Sequence, residues 1–175
     1  MATHDDPAAT PPGRGAGAIA FAAHDHAGCR RAAIAEARAR CAAAGLRLTP
    51  VRERVLEILL ESHSALGAYD VLRRLTGEGA GPQPPIAYRA LDFLVAHGFA
   101  HRIEKLNAYV ACCTSGARHD PVFLICRKCR AVAELSSAPL ARDLERAAAR
   151  IGFDIGRTVV EAEGLCPGCR GDEAP

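Results

Sequence analysis

The stretch "IAYRALDFLVAHGFAHRIEKLNAYVACC", residues 86–113, decides how the chain folds. Its first half reads as a helix over about Ile86–His97, stopped by Gly98. Its second half reads as two extended runs, "FAHRIEK" and "NAYVACC", that turn around Leu106-Asn107. Upstream, "DHAGCRRAAIAEARARCAAA" is an Ala/Arg-rich helix from about Asp25 to Ala44, ended by Gly45. In "LTPVRERVLEILLES" Thr49 is placed to cap a helix whose first position is Pro50, and Val51, Val55, Ile58 and Leu59 recur at helical spacing. "AYDVLRRL", about Ala68–Leu75, is a short helix broken by the loop "TGEGAGPQPP". Helices followed by a β-hairpin are the order of a winged helix-turn-helix.

The remainder is a small α/β module. "PVFLIC", "AVAEL" and "TVVEAEG" read as strands, and "LARDLERAAARIG" as an amphipathic helix with Leu140, Leu144, Ala147 and Ile151 on one face. The expected fold class is therefore α+β, with a winged-helix domain over residues 25–110, a hinge over 111–120 and a second domain over 121–170. Residues 1–24, rich in Ala, Gly and Pro, and 171–175 read as tails.

No apolar run approaches the roughly 18–20 residues that span a bilayer, and the acidic, proline-rich N-terminus lacks the pattern of a signal peptide. A cytoplasmic protein is expected, with no membrane partner. There, eight cysteines argue for metal ligation or redox chemistry over disulfides. The charge is unevenly spread: residues 29–105 hold twelve basic against eight acidic side chains, while residues 106–175 balance at nine of each. A basic middle segment is compatible with phosphate contact, and equally with a solvated helical surface.

Cys126/Cys129 and Cys166/Cys169 form two CxxC pairs, separated by 36 intervening residues, each following a strand. Two such turns complete a tetrahedral S₄ shell, which suits Zn²⁺ and leaves no open position, so the site would be structural. A redox dithiol needs only one pair and stays open as the alternative. His101, Cys112, His119 and Glu134 are further candidate ligands. One thiolate and one carboxylate would neutralise Zn²⁺, with two imidazoles completing four-coordination. Each residue also has an ordinary structural reading, and the spacing alone does not choose. Cys113 competes with Cys112, but neighbours on a strand face opposite ways. The segment "HDHAGC" (His24, His26, Cys29) is a weaker metal-like cluster. Enzymatic zinc chemistry is disfavoured. No His is followed two positions on by Glu, Leu165 precedes "CPGC" where a deaminase needs Pro, and HExxH is absent.

These residues together resemble the ferric-uptake-regulator family, and within it the zinc-uptake branch. The resemblance runs from about Cys41 to Cys169 and rests on "LRLTPVRERVLEIL", "GAYDVL", "PPIAYRALDFLVAHGFAHRIE", "NAYVAC", "HDPVFLICRKCRAVAEL" and "GLCPGC". It implies a structural Cys₄ zinc site and a regulatory zinc held by His101, Cys112, His119 and Glu134, two ions per chain. It also implies a homodimer formed by the C-terminal module, acting as a zinc-loaded repressor on palindromic operators of zinc-uptake genes. Tyr88 and Arg89, near the start of the fourth helix, would then contact double-stranded DNA in the groove, and Tyr69 a phosphate. A sibling that senses Fe²⁺ or peroxide is the alternative within the family. Three departures stand out: Ile86-Ala87 where Thr or Ser is common, Arg130 where Gly often follows the first CxxC, and a longer N-terminal tail.

Overall fold

The computed structural model describes residues 26–77, 83–112, 121–136 and 138–171. Residues 1–25 and 172–175 of the expected tails and 113–120 of the expected hinge, with Cys113 and His119, lie outside these residues. The first helix, α1, spans His26–Ala43, and α2 spans Pro50–Leu59. Thr49 caps α2 as expected, its hydroxyl accepting from the Arg52 amide at 3.4 Å. A two-residue strand, β1 (Leu66–Gly67), leads into α3 (Ala68–Thr76), and α4 covers Pro84–Ala96. Strand β1 was not legible, because two residues carry no periodicity. Helix α4 begins two residues before Ile86. Pro84 and Pro85 fill its first turn, where a missing N–H breaks no helical hydrogen bond.

The hairpin is as expected. Strand β2 (Ala100–Ile103) pairs antiparallel with β3 (Ala108–Ala111), and β1 adds on the far side of β3. Gly98, at φ +67°, makes the left-handed turn from α4 into the wing. Ala87, Ala90, Leu91 and Leu94 recur at the 3–4 residue spacing that buries one face of α4 against Val55, Ile58 and Leu59 of α2. Arginines fasten the rim of this core. The Arg52 guanidinium lies 3.7 Å from the Phe93 ring centroid, and Arg40 lies over Phe99 while donating to the His97 carbonyl at 2.9 Å.

The second unit is a three-stranded sheet in the order β5-β4-β6, built from β4 (Pro121–Cys126), β5 (Val132–Ser136) and β6 (Val160–Gly164). Helix α5 (Ala138–Ala149) and a one-turn helix α6 (Pro167–Gly171) complete it. Helix α5 ends at Ala149, before Ile151, and the expected apolar face is not covered by the described residues. Only Ala148 is buried, while Leu140 and Leu144 are exposed and Ile151 is 81% exposed.

The two units share an apolar cluster. Ala65, Ile103, Ala108 and Val110 pack with Phe123, Ile125 and Val132. Backbone bonds also cross: Val132 N–H donates to the His63 carbonyl at 2.8 Å and Ala65 N–H to the Arg130 carbonyl at 3.3 Å.

Leu91 is fully buried in the first unit's core. Leu91→Ala is expected to destabilise the protein by about 2–5 kcal/mol. Urea denaturation followed by circular dichroism measures the loss.

Candidate metal centres and nucleic-acid interface

Strands β4 and β6 run parallel, with Cys126 in register with Gly164. Both therefore end at the same edge of the sheet, and each is followed by a CxxC turn. This brings the sulfurs of Cys126, Cys129, Cys166 and Cys169 within 4.8 Å of one another, with Cys129 and Cys166 at 3.7 Å. The Arg127 N–H donates to the Gly164 carbonyl at 3.0 Å and ties the two turns together. The second pair stands at the start of α6, a feature not anticipated, since a five-residue helix leaves little periodic signal.

The four thiols cannot behave alike in this space. Backbone N–H groups of Cys129 and Cys166 draw the Cys126 thiol down to about 6. The Cys166 thiol, burial and the sulfurs of Cys129 and Cys126 push Cys169 up to about 12. Crowding thiolates is unfavourable unless a cation sits among them, so this donor set fits a soft-tolerant divalent ion such as Zn²⁺. A dithiol exchanging electrons needs two sulfurs, and here four converge.

Arg130 closes the first turn with φ +60°. Its N–H donates to the Cys126 carbonyl at 2.9 Å, and the Cys126 N–H returns to the Ala131 carbonyl at 2.9 Å. The left-handed conformation explains why glycine suits this position, and an arginine carries strain there.

A second cluster lies between the two units. His101 on β2, Cys112 just beyond β3 and Glu134 on β5 offer donor atoms within 4.8 Å of one another. The His101 Nε2 to Glu134 Oε1 distance is 3.5 Å, and Cys112 Sγ lies 3.9 Å from the same oxygen. Glu134 is only 5% exposed. An ionised carboxylate buried to that degree calls for a positive partner, and neutral imidazole with a thiolate supplies the rest of a zinc-type ligand set. His119, the fourth expected ligand, lies outside the described residues, as does Cys113. Of the weaker cluster, Cys29 stands exposed on α1, while His24 and the side chain of His26 fall outside the description. Among the described residues these are the two groups of three or more convergent ligand side chains.

The candidate DNA-contacting residues are all on the surface. Tyr69 is 74% exposed at the start of α3, and Tyr88 and Arg89 are exposed on the first half of α4. Tyr88 does not pack inward; its neighbours Ala87 and Ala90 do. Ile86 is exposed beside them, an apolar side chain at the start of α4.

The profile of the Ferric uptake regulator family matches residues 43–162, and the chain belongs to that family. It is 38% identical over 137 residues to the zinc uptake regulation protein of Escherichia coli (strain K12), covering 78% of this chain and 80% of that protein. The zinc uptake regulation protein of Shigella flexneri matches to the same extent. Among solved structures, a zinc uptake regulator complexed with zinc and DNA superposes with a TM-score of 0.79 at 37% identity, covering 83% of this chain and 98% of that one. Holo XcZur superposes at 0.71 with 37% identity, covering 83% and 99%.

Arg130→Gly is expected to raise stability by about 0.5–1 kcal/mol, since relief of left-handed strain exceeds glycine's unfolded-state entropy. Chemical denaturation of the zinc-loaded protein measures it; a stability equal to or below that of the parent contradicts the strain.

Proposed function

We propose that this chain is a zinc-responsive repressor that binds palindromic operators of zinc-uptake genes as a homodimer in the cytoplasm. The observation that carries the reading is the convergence of His101, on the wing, and Cys112, at the start of the hinge, with Glu134 on the other unit. The likeness to zinc uptake regulators, one of them complexed with zinc and DNA, supports it.

In this reading residues 25–110 are the DNA-binding domain, 111–120 the hinge and 121–170 the dimerisation domain. Cys126, Cys129, Cys166 and Cys169 hold one structural zinc, and His101, Cys112, His119 and Glu134 hold a regulatory one, two per chain. A bound zinc supplies a divalent charge that ties neutral imidazole, thiolate and carboxylate into one shell. Cys112 must lose its proton to take part, and its thiolate favours zinc over harder Fe²⁺. Glu134 anchors the shell to the sheet, while His101 and Cys112 carry the base of the wing with them. Joining the units in this way raises the population in which the two reading helices of a dimer match two half-sites.

Arg89 is placed to reach a base edge from α4, Tyr88 a base methyl or phosphate, and Tyr69 a phosphate from α3. The exposed face of Leu140, Leu144, Ile151, Phe153 and Val159 is the apolar surface that a second copy would cover. No helix among the described residues is long and apolar enough to cross a membrane.

His101→Ala is expected to leave a folded dimer with one zinc per chain and poor DNA binding. Atomic spectroscopy and gel shift on transporter promoters test this; two retained ions with full DNA binding would refute the ligand assignment. Arg89→Ala should weaken specific binding by about 1–3 kcal/mol without altering zinc content or dimer mass. Fluorescence anisotropy against matched and mismatched duplexes reads the difference.

A further inference from the structure

Phe123 on β4 is in register with Glu134 on β5 and with Glu161 on β6. Residues in register across a sheet point to one face. This row therefore lies against the wing, with a metal-type ligand at one end, Phe123 under the His101 ring in the middle (centroids 5.2 Å apart) and a second carboxylate at the other end. Glu161 is used by neither metal centre. Its two oxygens accept from the backbone N–H groups of Glu104 at 2.6 Å and Lys105 at 3.0 Å, in the turn at the wing's tip. Lys105 adds an ion pair to Glu163 at 2.8 Å, which raises its ammonium above the ordinary value.

His101 and Cys112 sit at the base of the hairpin, whereas Glu104 and Lys105 sit at its tip, about 10 Å away at the rise of a strand. The backbone bonds at His63 and Ala65 and the apolar cluster join the units elsewhere, and an attachment at the tip restricts the pivot that they and the base of the wing leave open. The wing is continuous with α4 through Gly98, so fixing the wing fixes the reading helix. A carboxylate that accepts two backbone N–H groups makes charge-assisted bonds, stronger than neutral ones. The Lys105–Glu163 pair is more exposed, and screening leaves it little strength.

We propose that Glu161 is a positioning residue: it latches the tip of the wing to β6, so that metal binding at the base of the wing is converted into a fixed orientation of α4. The proposal deepens the repressor reading and rests on it. The test uses the full-length zinc-loaded chain and a duplex selected from a random pool by the wild-type protein in the presence of zinc. Glu161→Ala should keep its zinc content and dimer mass. The amides of Glu104 and Lys105 should exchange with solvent about tenfold faster, and the selected duplex should bind about tenfold more weakly at saturating zinc. Glu161→Gln, with one good acceptor oxygen, should fall between, and Glu163→Gln should stay near wild type.

Unchanged amide exchange in Glu161→Ala overturns the latch. Faster exchange with unaltered DNA affinity overturns its role in positioning, and loss of zinc or of the dimer makes the residue merely structural. If the wild-type chain selects no duplex, the repressor reading fails, and amide exchange still reports whether the latch exists.

Discussion

A carboxylate buried between two folding units organises this molecule. Glu134 is almost removed from water, and His101 of the other unit and Cys112, just beyond β3, lie within 4 Å of one of its oxygens. Burying such a group is unfavourable unless positive charge or donors face it. The arrangement is therefore sensitive to whatever occupies the space between the three side chains. Around them, the apolar cluster of Ile103, Val110, Phe123 and Ile125 provides non-directional adhesion, which does not distinguish one approach angle from another as strictly as a ligand shell does. In the proposed reading, directional bonds at both ends of the wing and adhesion between them would together orient α4.

The cysteine knuckles contribute to the same junction. The turn that follows Cys129 offers its Arg130 carbonyl to Ala65, and Val132 donates to His63. The sulfur cluster thus lies beside a loop that is also a docking point for the winged-helix unit. In the proposed reading, a disturbance at these four cysteines would reach the winged-helix unit through the same backbone bonds. The strained Arg130 sits at this point, and its left-handed backbone is what lets the Cys126 carbonyl and amide both be satisfied within the turn.

The uncovered face of α5 shows the limit of one chain. Leu140 and Leu144 stand on α5 and Ile151 and Phe153 just beyond its end, and no other element of the described chain covers them. Their exposure is a property of the single protomer, and a two-fold partner would turn it into an interface.

Much of this was determined by the sequence alone. Helical spacing in "VRERVLEIL" and "IAYRALDFL", the Thr49-Pro50 start and Gly98 define a winged helix, because local capping and periodicity follow from backbone chemistry at short range. The two CxxC pairs announced their shared site for the same reason: a pair's geometry is local. Tertiary structure alone decided the rest. That the pairs meet depends on parallel pairing of β4 with β6, and that Glu134, Phe123 and Glu161 form one row depends on register, which no spacing along the chain reveals. The contacts of Glu161 were equally hidden. Its partners are backbone amides 56 and 57 residues away, and a main-chain donor leaves no trace in residue type.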